Sequence, residues 1–140
     1  MSRIVFWDTS AFLALVNTRD AWHGQAVAVS QLLASERAEL LTTDAILIEI
    51  ANGLSKIGQR QLAQRTVKMV QASVLRNVAE VVHIDPNLWQ RGWQLYCTRL
   101  DKEWGLTDCL SFVVMQENEV FEAFTADHHF EQAGFIRLLR

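Results

Sequence analysis

Short apolar runs typical of β-strands alternate with helical patterns along the whole chain, and this alternation restricts the possible folds more than any other feature. The strand-like runs RIVFW, AELLTT, EVVHI, VFEAFT and FIRLL occupy 3–7, 38–43, 80–84, 120–125 and 135–139. Helical patterns cover 11–17, 21–36, 44–58, 59–77, 85–105, 107–118 and 127–134. Strands separated by helices predict an α/β fold with a central, mostly parallel sheet of four or five strands and right-handed crossovers.

Polar residues, proline and glycine mark the expected ends of these helices. Ser10, Thr43 and Thr107 can each accept a hydrogen bond from the first free amides of a helix, so each is a predicted N-cap. Pro86 suits the first turn of a helix. Gly58 is a predicted stop at a C-terminal end.

Length and charge limit the function classes open to the chain. Its 140 residues, 50% of them hydrophobic, suit one globular domain that spans 1–140. The net charge of −3 provides no bulk attraction for nucleic acid. An RNA substrate would therefore have to meet local basic residues or bound cations.

The sequence also predicts a cytoplasmic protein without a membrane partner. No apolar run approaches the roughly 18 residues that a membrane-spanning helix needs. A charge arrives at Arg3, too early for a signal peptide. Cys97 and Cys109 both lie within apolar helical patterns, so we expect two reduced thiols in the core.

Four acidic residues fall where the strand-to-helix pattern predicts one edge of the sheet. Asp8 ends the first strand, Asp127 follows the fourth, Asp108 opens a helix, and Glu49 lies one to two turns into the helix after the second strand. Ligands of open α/β sheets bind at the carboxyl ends of strands. Each acid also has a structural interpretation, namely a turn, an N-cap, a first-turn acid or a solvent-facing helix position.

Four segments, in chain order, resemble the signature segments of PIN-domain ribonucleases: FWDTSAF, TDAILIEIANGL, GLTDCLSFVV and FTADHHF. The similarity is closest to the VapC-type toxins of type II toxin–antitoxin systems. It extends from Asp8 to Phe130, and includes a hydroxyl residue after the first aspartate and a phenylalanine three residues after the last. The helix after the third acid departs from the family pattern, because Leu110 and Phe112 stand where small residues are common.

This resemblance implies a three-layer α/β/α sandwich and an endoribonuclease that leaves 5′-phosphate and 3′-hydroxyl ends. It implies that the metal-binding quartet is Asp8, Glu49, Asp108 and Asp127. It also implies that the supporting hydroxyl residues are Thr9 or Ser10, and Thr125. A homodimer and a small DNA-binding antitoxin are the partners it implies, in addition to RNA.

The chemistry of the acids independently favours a divalent cation. Four carboxylates in one cleft repel each other, and without a cation some would remain protonated. Mg²⁺ or Mn²⁺ suits such oxygen ligands, with Asp8, Asp108 and Asp127 as the expected ligands. Glu49 is left with two roles, a ligand of a second metal or a proton acceptor. Zinc is disfavoured because no His/Cys ligand spacing occurs, and we interpret His128 and His129 as surface residues.

Basic and aromatic residues suggest partners. Four basic residues are candidates for holding the RNA backbone, although a solvated helix face is the favoured interpretation of them taken alone: Lys56, Arg60, Arg65 and Lys68. Four tryptophans exceed what one core can absorb, which favours a homodimer: Trp22, Trp89, Trp93 and Trp104. An acidic pocket that must hold a cation predicts an antitoxin that inserts a basic residue, with arginine best suited.

Other functions remain open at the sequence level. The same fold could serve RNA processing without an antitoxin, or act as a non-catalytic module that binds RNA or protein. A haloacid-dehalogenase-like phosphatase is disfavoured because Ser10 stands where its second aspartate is needed. A phosphotransfer receiver is disfavoured because VFEAFTADHHF contains no lysine.

Overall fold

The computed structural model describes residues 3–140, which form one parallel sheet with helices between successive strands. The strands are β1 (Ile4–Trp7), β2 (Glu39–Thr43), β3 (Ala79–Val82), β4 (Glu122–Phe124) and β5 (Ile136–Arg137). The helices are α1 (Thr9–Val16), α2 (His23–Ser35), α3 (Asp44–Gly53), α4 (Arg60–Leu75), α5 (Pro86–Thr98), α6 (Leu106–Glu117) and α7 (His128–Gln132). The predicted alternation of strands and helices, with five strands, is therefore confirmed.

The strand order creates a switch point at the centre of the sheet. The order is β3-β2-β1-β4-β5, and each of the four pairings is parallel. The chain moves outward from β1 to β3, crosses back to β4, and then moves outward to β5. Right-handed crossovers then cover one face with α1–α4 and the other with α5–α7, giving the α/β/α layers. The crevice for a ligand lies between the carboxyl ends of β1 and β4.

Apolar packing fixes this central pair. In β1, Val5, Phe6 and Trp7 are all buried, as expected for a strand covered on both faces. Phe6 lies 6.1 Å from Phe130 of α7, measured between ring centroids. The two strands that frame the crevice therefore rest on a rigid core.

Two predicted N-caps differ from the observed ones. Helix α1 begins at Thr9, and the predicted cap Ser10 instead bonds the segment after β4. Helix α6 begins at Leu106 after Gly105, so Thr107 lies inside the helix. The prediction for Thr43 is confirmed, since its hydroxyl accepts the Ile46 amide at 3.1 Å.

Two helices end earlier than predicted because the following chain turns back into the core. Helix α3 ends at Gly53, Leu54 is buried, and Gly58 adopts φ +89° in the connection to α4. Helix α5 ends at Thr98 rather than 105. Trp104 lies beyond that end and packs edge-on against Phe112, with ring centroids 5.0 Å apart.

The cysteine prediction is half correct. Cys109 is buried in α6, and Cys97 is exposed on α5. None of the helices in residues 3–140 has the length and apolarity that a membrane crossing requires.

Gly92 allows α5 and α6 to approach closely at Leu110. A Cβ atom at residue 92 would lie 2.4 Å from Leu110 Cδ2 and 3.3 Å from Leu110 Cα. In Gly92→Ala, we expect overpacking to cost roughly 1–3 kcal/mol, whereas helix propensity contributes a gain of about 1 kcal/mol, so the variant should be less stable than an alanine substitution at an uncrowded helical glycine. Urea unfolding measures the change.

Gly24→Ala in α2 is the matched control, since a Cβ there meets no atom within 4 Å. It should be neutral or stabilising. Equal stability of Gly92→Ala and Gly24→Ala would show that the two helices separate without cost.

Candidate metal centre

The four predicted acids come from four separate elements near the switch point. Asp8 follows β1 directly, and Asp127 precedes α7 shortly after β4. Asp108 lies in the first turn of α6, and Glu49 lies within α3. The acids affect one another's pKa values. The charges of Asp108 and Glu49 raise the pKa of Asp8, and the charge of Asp127 raises the pKa of Asp108.

Asp8 is the most buried of the four, with a residue exposure of 5%. Its Oδ2 accepts the Thr125 hydroxyl at 2.7 Å and lies 3.2 Å from the Ser10 hydroxyl. Its backbone amide donates to Phe124 O at 3.1 Å. The side chain is thus held by the segment after β4, and makes no cap hydrogen bond to α1.

Ser10 and Thr125 connect the ends of β1 and β4. Their hydroxyl oxygens lie 3.0 Å apart. Ser10 Oγ accepts the Ala126 amide at 2.9 Å, and Thr125 Oγ1 accepts the Asp127 amide at 3.0 Å. The hydroxyl pair therefore fixes Asp8 and the backbone of Asp127 in one frame.

Asp108 and Asp127 meet through His129. Asp108 Oδ2 accepts the Gly105 amide at 3.1 Å and lies 3.0 Å from His129 Nδ1. Asp127 is the N-cap of α7, where its Oδ1 accepts the His129 amide at 2.9 Å. Besides belonging to the cluster, Asp108 is thus a first-turn acid of α6 and Asp127 is the N-cap of α7.

Glu49 is exposed and has a different partner. Its Oε1 accepts the Thr9 hydroxyl at 2.6 Å. Thr9 and Ser10, adjacent in α1, therefore contact different acids of the cluster.

Each of the four carboxylates has one oxygen tied to the protein. The tied oxygens are Asp8 Oδ2, Glu49 Oε1, Asp108 Oδ2 and Asp127 Oδ1. Within residues 3–140 no side chain donates a hydrogen bond to the second oxygen of any of these groups, so a ligand bound there would break no side-chain hydrogen bond. Since the tied oxygens fix the orientation of the groups, the arrangement is pre-organised.

Burial and the negative charges of neighbouring acids both raise pKa values within the cluster. Burial raises the pKa of Asp8 to about 7, and the neighbouring Asp108 and Glu49 add to this, although the Thr125 hydrogen bond opposes it. Burial and then the charge of Asp127 raise the pKa of Asp108. An ion with all-oxygen coordination would satisfy these groups, and the donor set fits Mg²⁺ or Mn²⁺.

A family model for the PIN domain matches residues 5–136. The chain belongs to the PIN-domain family. The matched range includes all four acids of the cluster, and the resemblance seen in the four sequence segments is confirmed.

The individual relatives of this PIN domain include a VapC-type toxin that is similar over nearly the whole chain. The 23S rRNA-specific endonuclease VapC20 of Mycobacterium tuberculosis is 30% identical over 135 residues, which cover 96% of this chain and 98% of that protein. The crystal structure of the same organism's VapC20, described as a sarcin–ricin loop cleaving toxin, superposes with a TM-score of 0.79 at 28% identity, covering 94% of this chain and 96% of that chain. This PIN domain is therefore homologous to VapC toxins.

Two further structures share the PIN fold at low identity. VapBC2 from Rickettsia felis, bound to a promoter DNA fragment, matches with a TM-score of 0.68 at 14% identity and covers 96% of both chains. DNA-bound VapBC from Salmonella typhimurium matches with a TM-score of 0.65 at 14% identity, covering 98% of this chain and 96% of that chain. They support the fold assignment of the PIN domain.

The predicted basic residues of this PIN domain are only partly brought together. Arg60 and Lys68 both line a groove of about 390 Å³ between α3 and α4. Lys56 and Arg65 are exposed but are not among the residues that line it. The tryptophans also divide, with Trp104 buried and Trp89 and Trp93 exposed on α5.

The interpretation of both histidines as surface residues was wrong for His129. Its side chain is 19% exposed, against 66% for His128. Potential ligand atoms of Asp127, His128 and His129 lie within 4.8 Å of one another. Both neighbouring histidines were assigned to the surface from the sequence. In the structure His129 contacts Asp108, with Nδ1 3.0 Å from Oδ2.

Proposed function

We propose that this PIN domain is the toxin of a toxin–antitoxin pair and cleaves RNA with bound Mg²⁺ or Mn²⁺. The observation that carries the proposal is the cluster of four carboxylates, each held through one oxygen with the other available. Homology to VapC20, a 23S rRNA-specific endonuclease, supports RNA as the substrate.

In this proposal Asp8, Asp108 and Asp127 hold the metal through their available oxygens. When bound, the ion supplies positive charge that activates water and stabilises the phosphate during displacement. Ser10 and Thr125 keep Asp8 oriented, and Thr9 keeps Glu49 oriented. Glu49 accepts the proton of the attacking water, because it is the exposed acid of the cluster and its second oxygen accepts no side-chain hydrogen bond within the described chain.

The RNA backbone would be held by exposed basic residues. Arg60 and Lys68 are the best candidates, since they share one groove, and Lys56 and Arg65 would add charge along the same segment. These four residues supply the local attraction that the net charge of −3 does not.

A small antitoxin that also binds DNA is the partner we propose, together with a second copy of the chain. The acidic cluster would accept a basic residue of the antitoxin, best an arginine, in place of the metal. For the homodimer we propose the aromatic face of α5, formed by Trp89, Trp93 and Tyr96, whose rings stack with centroids 6.1 and 5.5 Å apart. We also propose that the protein acts in the cytoplasm, because its RNA substrate is located there.

Expression in a bacterial host tests the proposal. The chain alone should arrest growth and cut ribosomal RNA, with 23S rRNA as the first substrate to map, and products should carry 5′-phosphate ends. Co-expression with the gene next to it should abolish both effects. Harmless expression of folded chain, with a neighbouring protein that does not bind it, would favour the alternative of an RNA-processing nuclease without an antitoxin.

A further inference from the structure

His129 lies between two acids of the cluster that come from different elements. Its Nδ1 lies 3.0 Å from Asp108 Oδ2 and 3.4 Å from Asp127 Oδ1. Both partners are carboxylate oxygens, which accept hydrogen bonds when ionised. Nδ1 therefore carries the hydrogen and donates it, mainly to the nearer Asp108.

The oxygens that His129 contacts are the tied ones. Asp108 Oδ2 also accepts the Gly105 amide, and Asp127 Oδ1 also accepts the His129 amide. The imidazole thus approaches from the protein side of the cluster. Asp108 Oδ1 and Asp127 Oδ2 remain available to a ligand, so the histidine and an ion do not compete for the same oxygens.

We propose that His129 is a positioning residue that holds Asp108 and Asp127 at the separation required for metal binding, whereas the adjacent His128 has no such role. The inference rests on the proposed function, because it concerns the same metal centre. Two like charges on separate elements repel each other, and a donor that hydrogen-bonds Asp108 and lies 3.4 Å from Asp127 offsets part of that repulsion. Removing such an outer partner of a metal ligand typically lowers metal affinity about 10–100-fold.

Mn²⁺ affinity, read by electron paramagnetic resonance of free and bound ion, tests the inference without an activity assay. Measurements are made at one pH above the pKa of Asp8, about 7. We expect His129→Leu to bind Mn²⁺ about 10–100-fold more weakly than the wild type. His129→Asn should stay within about threefold of it, because the amide nitrogen of asparagine takes the place of Nδ1 and donates the same hydrogen bond.

His128→Leu is the matched control, since the His128 side chain is 66% exposed and its Nδ1 lies 3.8 Å from Asp127 Oδ1. Its Mn²⁺ affinity should equal that of the wild type. Thermal unfolding in chelator checks that each variant is folded. If His129→Leu is not, His129→Gln replaces it, because its amide lies one bond further out and should fail to restore affinity.

The outcomes separate the inference from the proposed function. No Mn²⁺ binding by the wild type would reject the metal centre itself. Wild-type binding with an equally tight His129→Leu (or its replacement His129→Gln) would overturn the positioning role. Equal weakening by folded His129→Asn and His129→Leu would also overturn it, since the imidazole would then act as a ligand rather than as a donor.

Discussion

Replacing Asp8 with asparagine should lower RNA cleavage by at least about 100-fold, more than the loss of an outer-shell partner. Asparagine keeps the shape of the side chain, and its carbonyl oxygen can still accept the Thr125 hydroxyl that now bonds Asp8 Oδ2 at 2.7 Å. It removes the negative charge that we expect to bind the metal. Cleavage of a labelled RNA under single-turnover conditions measures the effect.

The same variant should be more stable than the wild type when metal is withheld. Burial raises the pKa of Asp8 from 3.8 to about 7, so ionising it in the folded protein costs roughly 4 kcal/mol. The folded state retains a proton that the unfolded state has lost between these two values, so wild-type stability falls as pH rises through this window. Above pH 7 in chelator, Asp8→Asn should raise the melting temperature by at least about 3 °C. Below pH 4 the two should converge.

Asp85→Asn provides the control for both measurements. Asp85 is the N-cap of α5 and accepts the Leu88 amide at 2.8 Å, a role that asparagine fills equally well. Its activity should match the wild type, and its melting temperature should show no gain above pH 7 in chelator. If Asp8→Asn cleaves RNA as fast as this control, Asp8 is a residue that only shapes the turn after β1.

Removing divalent metal should abolish cleavage completely while leaving the fold intact. Within residues 3–140, no lysine or arginine forms an ion pair with any of the four acids, and the contacts of Asp108 and Asp127 are to histidine. Excess EDTA should therefore eliminate cleavage of a labelled RNA, and added Mg²⁺ or Mn²⁺ should restore it. Circular dichroism in EDTA should show an unchanged spectrum, because the core around Phe6 and Phe130 does not depend on the ion.

A parallel preparation of Asp8→Asn controls for contaminating nucleases in this experiment. It should remain inactive in the presence of metal. Full wild-type activity in excess EDTA, with the Asp8→Asn preparation silent, would reject metal-assisted hydrolysis and require another source of charge at the phosphate.

Features that depend on neighbours in the sequence could be predicted before the structure. The buried strand Ile4–Trp7 follows from its apolar residues, the cap at Thr43 follows from a short-range hydrogen bond, and Pro86 lies in the first turn of α5 as expected. The position of Asp8 at the carboxyl end of a strand follows once β1 is recognised. These predictions succeeded because each cause lies within a few residues of its effect.

Features that depend on distant residues could not be predicted. Ser10 fails to cap α1 because its hydroxyl contacts Thr125, 115 residues away. Helix α5 ends early because Trp104 packs against Phe112. His129 was assigned to the surface because its partner Asp108 is 21 residues away. In each case a contact between separate elements overrides the local pattern.

The pairing of β1 with β4 determines when the protein can become active during its synthesis. Asp8 is translated early, whereas Thr125, which holds its carboxylate, follows 117 residues later. A nascent chain that has exposed only β1, β2 and β3 has neither Thr125 nor Asp127 outside the ribosome. If the chain is a ribonuclease that attacks ribosomal RNA, each ribosome is therefore shielded from the toxin that it is making until residue 127 has left the ribosome. Under the proposed function, the order of strands in the sheet would thus act as a delay between translation and toxicity.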